Sequence, residues 1–177
     1  ENMANWIAQR NELLGKAVIA NLAKRNMEGY YCATKEEALQ KALELIPETD
    51  VVTWGGSVSI DEIGLLAAVK ERNPVIDRDT AATMEEKVEM MRKGLTCDTF
   101  LMSTNAMSED GILVNIDGNG NRVASLIFGP KQVVIIAGVN KITKDLDSAI
   151  ARARGTAAPV NAQRFAGIRV PCAATGV

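Results

Sequence analysis

Apolar residues recur at helical spacing near the start of the chain. Ile7, Leu14, Val18 and Leu22 are separated by Gln9, Arg10, Lys16 and Lys24, which predicts one long helix over residues 4–27, ended by Gly29. Thr34 with Glu37 three residues on forms a capping box for a second helix, which runs to Ile46 and stops before Pro47. The β-branched run Asp50-Val51-Val52-Thr53-Trp54 reads as a buried strand. It passes through Gly55-Gly56-Ser57 into a helix capped by Ser59 and Glu62, with Ile60, Ile63, Leu66 and Ala67 as its buried stripe. Asn73-Pro74 closes that helix, and Val75-Ile76 is expected as a short strand.

Met84, Val88 and Met91 mark a helix ending near Gly94, followed by a strand from Cys97 to Met102. A loop over residues 103–111 leads to a strand over Ile112–Ile116. A second loop, Asp117-Gly118-Asn119-Gly120-Asn121, opens a short helix from Arg122 to Phe128, and Gly129-Pro130 breaks the chain. Val133 to Ala137 is the most hydrophobic strand and suits a sheet centre. After Gly138-Val139-Asn140-Lys141, a helix carries Leu146, Ala149, Ile150 and Ala153 on one face. Pro159 interrupts helical sequence through Asn161 to Phe165, and residues 167–177 read as an extended tail. The alternation of strands and helices predicts an α/β fold: a mostly parallel sheet with helices on both faces, in a single domain over residues 1–177 with an N-terminal helix within 1–30.

Composition narrows the chemistry. The 177 residues contain no histidine, which removes the Ser-His-Asp triad, the Cys-His dyad and every His-ligated zinc site. Acid–base work falls to carboxylates, lysines, tyrosines or a bound cofactor. Cys32, Cys97 and Cys172 are scattered and form no CxxC, so neither a zinc ribbon nor a redox pair is expected, and a reducing, cytoplasmic compartment is. The net charge of −2 argues against a nucleic-acid partner. No apolar run approaches the roughly 20 residues that span a bilayer, so no membrane partner is expected. No signal peptide is visible, although the chain opens at Glu1 rather than Met, so a few residues are expected to be missing in front.

In a parallel sheet the loops after the carboxyl ends of strands gather at one edge and bind ligands. Gly55, Gly56 and Ser57 stand in such a loop; an anion site and a tight turn account for them equally well. Asp117, Asn119, Gly120, Asn121 and Arg122 offer left-handed turn formers beside a forked donor, which favours an anion-binding nest over a solvated hairpin. Thr104 and Asn105 precede Glu109 and Asp110, either of which serves as base or nucleophile if its pKa is raised; solvated acids are the commoner explanation. Asn140 and Lys141 follow the apolar strand, and Lys141 either pairs with a substrate anion or is a surface lysine. Trp54 and Cys97 are expected in the core.

Over nearly the whole chain these segments resemble the LUD (lactate-utilisation) domain family, the family of lactate utilisation protein C. The resemblance rests on Trp54-Gly55-Gly56-Ser57 through Glu62-Ile63-Gly64-Leu65, Thr104-Asn105-Ala106 with Glu109-Asp110-Gly111, and Asn115 through Ala124. It continues in Gly129-Pro130-Lys131, Ala137-Gly138-Val139-Asn140-Lys141-Ile142 and Ala157-Ala158-Pro159-Val160-Asn161-Ala162. It implies a fold similar to the NagB, ribose-5-phosphate isomerase and CoA-transferase group, whose members bind sugar phosphates or acyl-CoA-type ligands at strand-end loops. It also implies a link to oxidation of L-lactate to pyruvate beside iron–sulfur protein partners. Many such proteins continue past a Pro-Cys-x-x-Thr-Gly segment into a cysteine-rich tail. Here Pro171-Cys172-Ala173-Ala174-Thr175-Gly176 matches the start of that segment, but one cysteine cannot hold a cluster that needs about four thiolates. No cofactor is therefore assigned.

Three functions follow as expectations. The first is an enzyme or enzyme subunit that binds a small anionic metabolite, with Glu109, Asp110 or Asp117 moving protons. The second is a non-catalytic partner or sensor of iron–sulfur proteins, and either form suits a homo-oligomer. The third is sugar-phosphate isomerisation, which the Thr-Asn pair at the end of the Cys97–Met102 strand disfavours because an acid is expected there.

Overall fold

The computed structural model describes residues 2–165, 167 and 170–177. Its first half runs α1 (Met3–Ala23), α2 (Lys35–Leu45), β1 (Val52–Trp54), α3 (Val58–Glu62), α4 (Leu65–Arg72), α5 (Met84–Gly94) and β2 (Thr99–Met102). Then come β3 (Ala106–Ser108), β4 (Leu113–Val114), α6 (Asn121–Ile127), β5 (Gln132–Ile135), β6 (Ile142–Thr143), α7 (Leu146–Arg152), α8 (Ala158–Ala162) and α9 (Pro171–Thr175). The chain forms two compact units: residues 32–103 with 117–137, and residues 1–31 with 104–116 and 138–177.

The 32–137 unit is an α/β layer structure. Its sheet is parallel, in the order β1-β2-β5, and Val75 extends it through a parallel bridge to Val52. Alternate residues of each strand enter opposite cores. Val52, Trp54, Leu101 and Val134 face Ile46, Ile60, Leu65 and Val69, whereas Phe100 and Met102 pack with Cys97, Val133 and Ile135. Burying one such aliphatic side chain stabilises by roughly 1.5–3 kcal/mol. Two covered faces explain why β5 is so apolar although it stands at a sheet edge among the described strands, and β2, not β5, is central.

Polar side chains staple the amino edge of this sheet. Thr99 Oγ1 donates to Asp50 Oδ2 (2.6 Å) and accepts from Gln132 Nε2 (2.7 Å). Asn73 Nδ2 donates to the Pro47 carbonyl (2.8 Å), and Arg72 Nη2 to that of Ile46 (2.6 Å). The strand-to-helix connection departs from expectation. Ser57, not Ser59, occupies the N-cap of α3, and no Ser59–Glu62 capping box forms. Gly64 then takes φ +78°, a left-handed conformation that ends α3 and starts α4. The break rotates the apolar stripe: Ile60, Leu65 and Val69 are buried, and Ala67 is exposed.

The other unit joins α1 to a small sheet of order β4-β3-β6, with β3 antiparallel to β4 and parallel to β6. Ala106, Ala149 and Ala153 pack at its centre. α1 ends at Ala23, six residues before Gly29. Gly29 instead lets the chain pass against the helix, where an added methyl would stand 2.9 Å from Ile19 Cγ1. Val18 is buried as expected, but Ile7 is 53% exposed. Pro159 does not stop the helical backbone. It sits at the second position of α8, preceded by a π turn over Ala153–Ala157 that accommodates the carbonyl left without an α-helical donor. Of the tail expected to be extended, Ile168 and Arg169 lie outside the described residues and Pro171–Thr175 are helical, with Pro171 in the first turn where it needs no N–H donor. No helix among the described residues is long and apolar enough to cross a membrane.

Candidate functional site

The carboxyl edge of the parallel sheet differs from its stapled amino edge. β1 runs out into Gly55 and Gly56, and Gly55 is packed against Arg122: a methyl there would stand 2.9 Å from Arg122 Cδ. Arg122 is itself fixed. Its Nε donates to Asp117 Oδ1 (2.9 Å) and its Nη1 to the Ser103 carbonyl at the end of β2 (3.0 Å). Asp117 completes the arrangement by accepting from the Val123 N–H (2.9 Å). Both side chains of this ion pair are mostly buried, at 12% and 13% exposure. Gly120 is left-handed (φ +79°) and forms the N-cap of α6, so the Asp117–Asn121 segment is a strand-to-helix turn and not a hairpin. Asn119 is exposed, and Asn121 is half-buried in the first turn of α6.

Gly56 is open on one side and covered by Arg78 on the other, where an added methyl would lie 3.2 Å from Arg78 Nη2. Arg78 follows the Val75–Ile76 segment, which pairs with β1. Its side chain is only 15% exposed, and its Nε is buried without a hydrogen-bond partner among the described residues. Ser57 Oγ and Trp54 Nε1 are likewise buried and unpartnered. Trp54 lies in the core as expected, with the Lys70 ammonium 5.2 Å from its ring centre. Lys70 is paired with Asp77 (2.7 Å).

The remaining candidates belong to the unit that contains β3. The single Thr104 hydroxyl proton is shared between the Ala106 (3.0 Å) and Val114 (3.2 Å) carbonyls, which ties the chain before β3 to β4. Asn105 Oδ1 accepts from the Ile116 N–H (2.8 Å), and its carbonyl accepts from Arg152 Nη1 (2.5 Å). Glu109 pairs with Lys144 (3.0 Å). Asp110 pairs with Arg25 (3.1 Å) and accepts from Ser108 Oγ (2.5 Å). The Ser108 hydroxyl, more than the Arg25 charge, holds the Asp110 carboxyl below the ordinary range, so it is a weak base. Asn140 and Lys141 share a 3₁₀ turn in which the Lys141 N–H donates to the Gly138 carbonyl (3.0 Å); Asn140 is exposed.

The candidates therefore divide by unit. Gly55, Gly56, Ser57, Asp117, Asn119, Gly120, Asn121 and Arg122 belong to one, and Thr104, Asn105, Glu109, Asp110, Asn140 and Lys141 to the other. Arg78 escaped the sequence pattern. The signal was present: Asp77-Arg78-Asp79 follows the short Val75–Ile76 strand, and the strand-end rule applied to the other loops covers it too. Cys97 is buried, and loss of solvation pushes its thiol up to about 11. Among the described residues, no group of three or more Cys, Asp or Glu is arranged to hold a metal ion. A model of the LUD domain family matches residues 15–176. No curated protein and no solved structure matches the chain.

Proposed function

The chain belongs to the LUD domain family, which implies a role related to lactate utilisation, and from that premise we propose that it binds a small carboxylate- or phosphate-bearing metabolite at its strand-end loops. The observation that carries the reading is the bare end of β1. Gly55 and Gly56 leave no side chain there, and Ser57 Oγ is buried beside them without a partner. A buried hydroxyl left unsatisfied costs about 1–3 kcal/mol, a cost that a bound oxyanion removes. The Asp117–Arg122 pair acts as a wall behind Gly55, and the proposal retains Asp117 for proton transfer because its partner Arg122 packs against Gly55. The expected kinship with the NagB and CoA-transferase group fits the same reading, since ligands there also meet strand-end loops.

A second reading, a non-catalytic partner of iron–sulfur proteins, is favoured by Glu109 and Asp110. Each carboxylate is held in an ion pair, and Asp110 is poorly disposed to take a proton. Ile127 and Phe128, 77% and 87% exposed at the end of α6, offer such a partner an apolar contact.

The test is a thermal-shift screen of lactate, pyruvate, ribose 5-phosphate and a CoA ester against the whole chain. A ligand at 100 times its dissociation constant adds about 2.7 kcal/mol. Gly56→Val, at a position whose φ is not left-handed, and Asn121→Ala should both abolish the gain. An undiminished shift in both variants moves the site elsewhere.

A further inference from the structure

Among the described residues at this edge, Arg78 is the basic side chain held by nothing closer than a long ion-pair contact. Its neighbours pair off. Lys70 meets Asp77 at 2.7 Å, Lys87 meets Asp79 at 3.4 Å, and Arg122 meets Asp117 at 2.9 Å. Arg78 Nε comes no closer than 3.9 Å to Asp79, too long for a hydrogen bond, and that carboxylate is 55% exposed and shared with Lys87. A guanidinium held at 15% exposure with its Nε unpartnered among the described residues is costly, because a buried charge is ordinarily paired and hydrogen-bonded.

The orientation of the group is informative. Nη2 is the nitrogen over Gly56, and Nε is the orphan. These two nitrogens share one edge of the guanidinium and present two parallel N–H donors, the fork that matches the two oxygens of a carboxylate. Gly56 has no side chain to fill the space in front of Nη2, and Ser57, next in the chain, supplies a further unpartnered hydroxyl.

We propose that Arg78, over Gly56 and with Ser57, is an oxyanion clamp that takes a small monocarboxylate. The assignment rests on the strand-end reading above and adds to it the charge-bearing residue and the ligand class. One uncompensated positive charge selects one negative charge. A dianionic phosphate would bring its second charge beside Asp77 and Asp79.

Tryptophan fluorescence provides the assay. A Trp6→Phe background leaves Trp54, adjacent to Gly55, as the sole reporter, and Trp6 is 51% exposed, so the exchange is mild. The full chain is titrated with sodium pyruvate, sodium L-lactate and inorganic phosphate, and the melting temperature is recorded without them. Binding of a carboxylate, weakened roughly tenfold to a hundredfold by Arg78→Met, is expected, since hydrogen bonds to charged groups contribute about 1.5–3 kcal/mol. Arg78→Lys keeps the charge without the fork and should fall between. The anion-free Arg78→Met protein should melt no lower than the parent, because an unpaired buried charge has been removed. A fall in its melting temperature would make Arg78 a structural residue and overturn the clamp. Loss of binding in Gly56→Val with full affinity in Arg78→Met would keep the strand-end site and reject Arg78. Tighter binding of phosphate than of either carboxylate would reject the ligand class, and a parent protein that binds none of the three defeats both readings.

Discussion

Asp110 is occupied by its own chain. Ser108 Oγ donates to it, Arg25 pairs with it, and its pKa lies below the ordinary 3.8 as a result. A depressed folded pKa contributes stability that is complete above the unfolded value and disappears as pH falls through the folded one. The wild-type melting temperature should therefore drop more steeply between about pH 5 and pH 2 than that of Asp110→Asn. Parallel acid limbs in the two proteins would show that the pairing contributes nothing. From sequence, Glu109 and Asp110 were two acids in a loop; what decides their character is Lys144, Arg25 and Ser108, and two of those three are remote in the chain. Arg78 was hidden for the opposite reason. An arginine between two aspartates reads as a locally neutralised surface charge, and only the fold shows that Lys70 and Lys87 take those aspartates away.

Helix starts were the most legible elements. Thr34 Oγ1 accepts from the Glu37 N–H and the Glu37 carboxylate from the Ala33 N–H, close to the arrangement the spacing predicts. Thr83 and Glu86 form a full capping box on α5. Thr83→Ala should cost about 1 kcal/mol by urea denaturation, with an unchanged dependence on denaturant. A cost near zero would mean that water replaces the hydroxyl. The same Ser-x-x-Glu spacing at Ser59–Glu62 formed no cap, because the N-cap falls at Ser57, two residues earlier. Strands β3 and β6 were the least legible, whereas β4 lies inside the strand expected over Ile112–Ile116. β3 and β6 are three and two residues long, and they pair with each other across a long stretch of chain, so no local periodicity announces them.

At the scale of the whole molecule, α/β alternation and the parallel sheet were readable because β2 and β5 carry apolar residues to both faces of that sheet and β1 carries Val52 and Trp54 to one of them. Leu101 sits in the central strand with no exposure, and Leu101→Ala should destabilise by roughly 2–5 kcal/mol in urea. A loss under about 1 kcal/mol would mean that the surrounding core collapses into the space. The division into two units was not readable, since composition does not change where the chain passes from one to the other.

That interleaving has a consequence for biosynthesis. The chain changes unit four times, at residues 31, 103, 116 and 137. A ribosome makes the last strand of the parallel sheet, β5, before it makes β6, α7 or α8. The order of events is therefore set by translation itself: every residue of the layer bearing Gly56 and Arg78 has been made while α1, the first helix made, still awaits residues 138–177 of the unit in which it is counted.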